Sequence, residues 1–64
     1  MEEHVREKRM KDLKDAGFEL HFHFNKRHNE HVLVAIGDGQ DRWYFGPSED
    51  SVLTQAWGDL QGDV

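Results

Sequence analysis

From Phe18 to Phe24 the chain alternates without a break. Phe18, Leu20, Phe22 and Phe24 are apolar, and Glu19, His21 and His23 stand between them. A period of two predicts a half-buried β-strand with its four apolar side chains on one face. The run His31-Val32-Leu33-Val34-Ala35-Ile36 is β-branched and apolar and predicts a second strand. Asp38-Gly39 is a favoured two-residue hairpin loop, and Arg42-Trp43-Tyr44-Phe45 beyond it predicts a third strand.

Helical patterns flank these strands. Glu2 to Ala16 contains no Gly or Pro and is rich in Glu, Lys, Arg, Met, Leu and Ala, all good helix formers. Its apolar stripe is thin (Val5, Met10, Leu13, Ala16), so its first turn or two is expected to fray. Gly17 reads as the residue just past the helix end, where a left-handed backbone is needed. At the other end Gly46-Pro47 closes the sheet. Ser48 is a good N-cap, and Glu49 and Asp50 fall in the first turn, where negative charge is favoured. Val52, Leu53, Ala56, Trp57 and Leu60 then recur at helical spacing. The expected fold is α+β: a single domain over 1–64 in the order α-β-β-β-α, with residues 1–5 and 61–64 frayed.

The strands also suggest a register. With Asp38-Gly39 as the loop, Val34 faces Trp43, Val32 faces Phe45, Leu33 faces Tyr44 and Ala35 faces Arg42. A three-residue loop at Arg27-His28-Asn29 would pair Phe24 with Val32 and Phe22 with Val34. One apolar face would then run across all three strands, and a one-residue slip would scatter it. Two helices packed on that face would bury Phe22, Phe24, Val34, Trp43 and Trp57 in one core. The outer face would carry Glu19, His21, His23, Asn25, His31, Leu33, Ala35, Arg42 and Tyr44.

At 64 residues the chain is near the lower size limit for a domain that folds without staples, and it has no cysteine to supply one. Pairing through the outer face, with itself or with another protein, would therefore help. No apolar run reaches the roughly 20 residues of a membrane span, and the N-terminus does not read as a signal peptide, so a soluble, cytoplasmic protein is expected. The net charge of −5 is unevenly placed. Residues 1–31 balance, whereas residues 32–64 set Arg42 alone against Asp38, Asp41, Glu49, Asp50, Asp59 and Asp63. That argues against gripping phosphates through the second half and suits a partner with a basic surface.

Chemistry-bearing constellations are few. Five histidines stand out, and the expected register would place His31 diagonal to His23, with His21 beside it. Three residues in a row on a flat sheet converge poorly on a metal, and no zinc-motif spacing is present, so no metal or cofactor is expected. Ser48 and Ser51 read as a cap and a helix-surface residue. Gly37-Asp38-Gly39 lacks the lysine and the following helix of a phosphate loop. Catalysis is not expected.

The order α-β-β-β-α resembles the double-stranded-RNA-binding domain in topology. That family grips phosphates with a basic start to its second helix, whereas Ser48-Glu49-Asp50-Ser51 stands here. Only Lys26-Arg27-His28 favours a duplex RNA- or DNA-binding module, which is the alternative reading. From Leu13 to Leu60 the pattern is similar to small phage proteins of the ABA-sandwich type: a helix ending near Gly, aromatic strands, a hairpin and an Ala-containing closing helix. That resemblance implies an accessory phage protein, such as an anti-CRISPR inhibitor that binds a host protein's nucleic-acid-handling surface. The candidate contact residues are Asp38, Asp41, Glu49 and Asp50 on an acidic surface, or Leu33, Arg42 and Tyr44 on the outer sheet face.

Overall fold

The computed structural model describes residues 2–61. Helix α1 spans Glu3–Asp15, strands β1, β2 and β3 span Glu19–Asn25, Glu30–Gly37 and Gln40–Gly46, and helix α2 spans Glu49–Leu60. The strands form one antiparallel meander in the order β1-β2-β3. This is the expected α-β-β-β-α domain.

The punctuation works as the residue types dictate. Gly17 has φ of 99°, its N–H donates to the Lys14 carbonyl, and the Phe18 N–H donates back to the Leu13 carbonyl. That pair of bonds is the Schellman closure of α1. Asp38 (φ 53°) and Gly39 (φ 75°) are both left-handed, the signature of a type I′ hairpin turn. Ser48 caps α2 by accepting the Ser51 N–H at 3.1 Å. The start of α1 is helical from Glu3, and Arg6 in its first turns bonds to Glu49 of α2. Gln61 is held as well, its Nε2 donating to the Asp12 carbonyl at 2.9 Å. The expected fraying at Met1 and at 62–64 falls outside the described residues.

The register between β2 and β3 is the expected one, with Val34 opposite Trp43 and Val32 opposite Phe45. Between β1 and β2 it differs by one residue. Phe24 pairs with His31, Phe22 with Leu33 and His23 with Val32. The cause is local: the loop has four residues, Lys26 to Asn29, not three. Asn25 Oδ1 accepts the Arg27 N–H at 3.1 Å and starts the loop early, and Asn29 at φ 50° turns the chain into β2. Asparagine suits both roles, because its short amide can bond to nearby backbone and it tolerates the left-handed region.

One residue of slip exchanges the faces of β2 and β3 relative to β1. The side covered by the helices carries Leu20 and Phe22 from β1, Leu33 and Ala35 from β2, and Tyr44 from β3. Leu33, Leu13, Val52, Leu53 and Ala56 form the fully buried cluster, with Met10, Leu20, Phe22, Tyr44, Trp57 and Leu60 packed around it. The expectation that Phe24, Val34 and Trp43 lie in this core is thereby corrected: Phe24 stays on the helix side but beyond the helices' cover, 41% exposed against His31. Val34 and Trp43 point the other way, and Trp43 is 60% exposed. Trp57 does serve the core, at its edge. Its Nε1 donates to Asp12 at 3.4 Å, and the Arg9 guanidinium lies over its ring at 4.8 Å, joining the two helices.

Candidate functional site

Both helices pack on one side of the meander, so its other side is open. By the pleat, that side carries Glu19, His21, His23 and Asn25 from β1, Glu30, Val32, Val34 and Ile36 from β2, and Asp41, Trp43 and Phe45 from β3. Its apolar centre runs along β2 and β3. The Trp43 and Phe45 rings are near-parallel, with centroids 6.4 Å apart and planes at 23°. Phe45 is 48% and Ile36 37% exposed. Val32, between Phe45 and His23, is buried beneath its neighbours.

The two ends of this face differ in charge. The meander puts Glu19, Asp41 and the Asp38 hairpin tip at one end. The other end holds the Lys26–Asn29 loop with its exposed Lys26 and Arg27, beside Glu30. His21 Nε2 lies 3.2 Å from Glu19 Oε2 along the acidic half of β1. Among the described residues, no lysine or arginine stands on the strands of this face.

The residues expected to bind a partner are scattered by the structure. Leu33 is fully buried under the helices and cannot meet a partner. Arg42 and Tyr44 lie on the helix-covered side, where both address Asp59 of α2. Tyr44 donates to Asp59 Oδ2 at 2.7 Å, and Arg42 Nη1 lies 3.6 Å from the same oxygen. Partial burial, and then the hydrogen bond it donates to the Asp59 carboxylate, push the Tyr44 hydroxyl up to about 12. These three residues are therefore reassigned from an outer face to the contact between sheet and α2.

Two of the four expected acidic contacts are also engaged within the chain. Glu49 takes the Arg6 guanidinium, Asp50 Oδ1 lies 4.0 Å from Arg6 Nε, and the same guanidinium sits 5.9 Å from the centre of the Phe22 ring. That cluster ties α1, β1 and α2 together. Asp38 and Asp41 remain displayed at the acidic end of the open face.

The histidine trio does not assemble. His21 and His23 are on the open face, whereas His31 is on the other side, against Phe24 with ring centroids 4.8 Å apart. Among the described residues no group of three or more histidine, cysteine or carboxylate side chains is placed to hold a metal. A groove of about 430 Å³ lies between the helices, lined by His4, Val5, Lys8, Arg9, Asp12 and Trp57. Arg9 and Asp12 are already committed to Trp57 and Thr54 there.

Trp43, Phe45, Val34 and Ile36 are absent from the candidate contacts, because the expected register puts Trp43, Phe45 and Val34 on the face that the helices cover. A signal was nevertheless present. β2 is apolar on both faces and β3 carries three aromatics in a row, Trp43-Tyr44-Phe45, whereas two short helices can cover only one face. Compared with protein-family models, curated proteins and solved structures, the chain matches none. No helix among the described residues is long and apolar enough to cross a membrane.

Proposed function

We propose that this chain acts by binding and not by catalysis. In this reading it is a small phage or mobile-element protein, working in the cytoplasm of the host cell. It docks its open sheet face on the basic, nucleic-acid-handling surface of a host protein and blocks it. The observation that carries the reading is the stacked Trp43–Phe45 pair, 60% and 48% exposed at the centre of an uncovered sheet. Contiguous exposed apolar surface on a small domain marks an interaction site, and tryptophan is among the residues that most often anchor one. Glu19, Asp38 and Asp41 at one end supply charge that favours a basic partner and speeds its approach.

The aromatic pair would also suit base stacking, but this face has no cation on its strands to neutralise phosphates. The test uses purified host CRISPR effectors and other nucleases, assayed for DNA binding with and without the chain. Inhibition by wild type that falls at least 10-fold in Trp43→Ser and weakens as salt rises supports the reading. Retention of full inhibition in Trp43→Ser and Phe45→Ser overturns the docking face. A chain that shifts duplex or single-stranded nucleic acid by itself, and leaves every effector active, overturns the function.

A further inference from the structure

We infer that, without a partner, the open face is covered by a second copy of this chain, packed sheet on sheet with its strands reversed. The inference rests on reading this face as an interface, and it makes self-association a competitor of partner binding. The face matches itself in two ways when one copy is turned about a two-fold axis that crosses the strands at the level of Phe22, Leu33 and Tyr44. First, the apolar positions meet. Trp43 of one copy comes to Phe45 of the other, Val34 comes to Val32, and β2 lies over β2. Second, the ends exchange. Glu19 of one copy comes to Asn25 and the Lys26–Arg27 loop of the other, twice over by symmetry, while Ile36, Asp38 and Asp41 come to the end that also carries Glu30. The alternative two-fold axis, along the strands, would set Glu19 against Asp41 and is disfavoured by their like charge.

The area is sufficient for a weak dimer. Three strands about 4.8 Å apart and seven residues long at about 3.3 Å each give a face of roughly 14 by 23 Å. That is about 320 Å² in projection per copy, which sets the contact at the small end, among weak and transient interfaces. An interface of that size belongs with weak, transient contacts, so association is sought from micromolar to millimolar concentration.

Sedimentation velocity from about 1 µM to about 1 mM tests it, with circular dichroism confirming that each variant is folded. Wild type is expected to pass from the 7.5 kDa chain to twice that mass across the series, and Trp43→Ser to weaken association at least 10-fold. Lys26→Glu and Glu19→Lys are each expected to weaken it about 3-fold at low salt, and the two together to restore it. A monomer at every concentration overturns the inference, as does a dimer that Trp43→Ser and Phe45→Ser leave intact. Failure of the double charge exchange to restore association overturns the reversed arrangement. A chain that stays monomeric yet needs Trp43 to inhibit a host effector removes the dimer and leaves the proposed function standing. A Trp43-dependent dimer with no inhibitory activity does the reverse.

Discussion

The two faces of the sheet are built from the same kinds of residue and meet opposite fates. One carries Leu20, Phe22, Leu33, Ala35 and Tyr44, and the other carries Val32, Val34, Ile36, Trp43 and Phe45. By hydrophobicity alone the second set has the stronger claim to a core. The helices decide otherwise. α2 follows β3 directly through Gly46, Pro47 and Ser48, and it approaches so closely that a Cβ on Gly46 would stand 2.7 Å from Ser51 Oγ. Gln55 fixes the approach by donating to the Phe45 carbonyl at 2.9 Å. α1 joins on the same side, its Leu13 packed with Leu33 and Leu53. Burial in so short a chain is thus set by which side the covering elements reach.

Substitutions that act on one face and spare the other sharpen this contrast. Leu33→Ala, at the fully buried centre, should cost about 3 kcal/mol, enough to unfold most of so small a domain, as a urea titration would read. An unchanged midpoint would put the core elsewhere. Gly37→Ala should cost about 2 kcal/mol, because its Cβ would fall 2.6 Å from the Phe18 ring and 2.8 Å from the Gly17 carbonyl oxygen. Tyr44→Phe removes the bond to Asp59 and should cost about 1 kcal/mol at neutral pH. Tyr44 has its proton affinity raised in the fold, to about 12 from 10.0. Its stabilising effect should therefore be complete below pH 10 and vanish as pH rises towards 12. The gap between wild type and Tyr44→Phe should close over that window, and a gap that stayed constant would show that burial and Asp59 do not raise this hydroxyl. Trp43→Ser, on the open face, should move the midpoint of the dilute chain by about 0.5 kcal/mol or less. A loss as large as that of Leu33→Ala would mean that Trp43 is internal after all.

Much of the architecture was legible in the sequence because its signals are local. Gly17, Asp38-Gly39 and Ser48 mark their turns and caps by backbone conformation. The stripe Val52-Leu53-Ala56 marks the buried side of α2, and the β2–β3 register follows from a two-residue turn. The pairing of β1 with β2 was not legible, because Val32 to Ile36 is apolar at every position and alternation cannot say which side faces in. Loop length then decides, and the contest at Asn25 between one more ladder pair and an early turn was settled by a side-chain bond to Arg27. The candidate site inherited that slip, which is why Leu33 was expected outside and Trp43 inside. The acidic surface was half legible. Glu49 and Asp50 carry the helix-start signature, but their pairing with Arg6 joins residues more than 40 positions apart, which no local pattern encodes.

The four-residue connection from Lys26 to Asn29 also has a genetic consequence. An in-frame deletion of one codon there would turn the β2–β3 hairpin over while leaving β1 and both helical sequences untouched. Val32, Val34, Trp43 and Phe45 would then be offered to the helices, and Leu33, Ala35 and Tyr44 to solvent. Because both sides of that hairpin are apolar enough to line an interior, a lineage could exchange its exposed surface in a single step, without passing through a series of point substitutions.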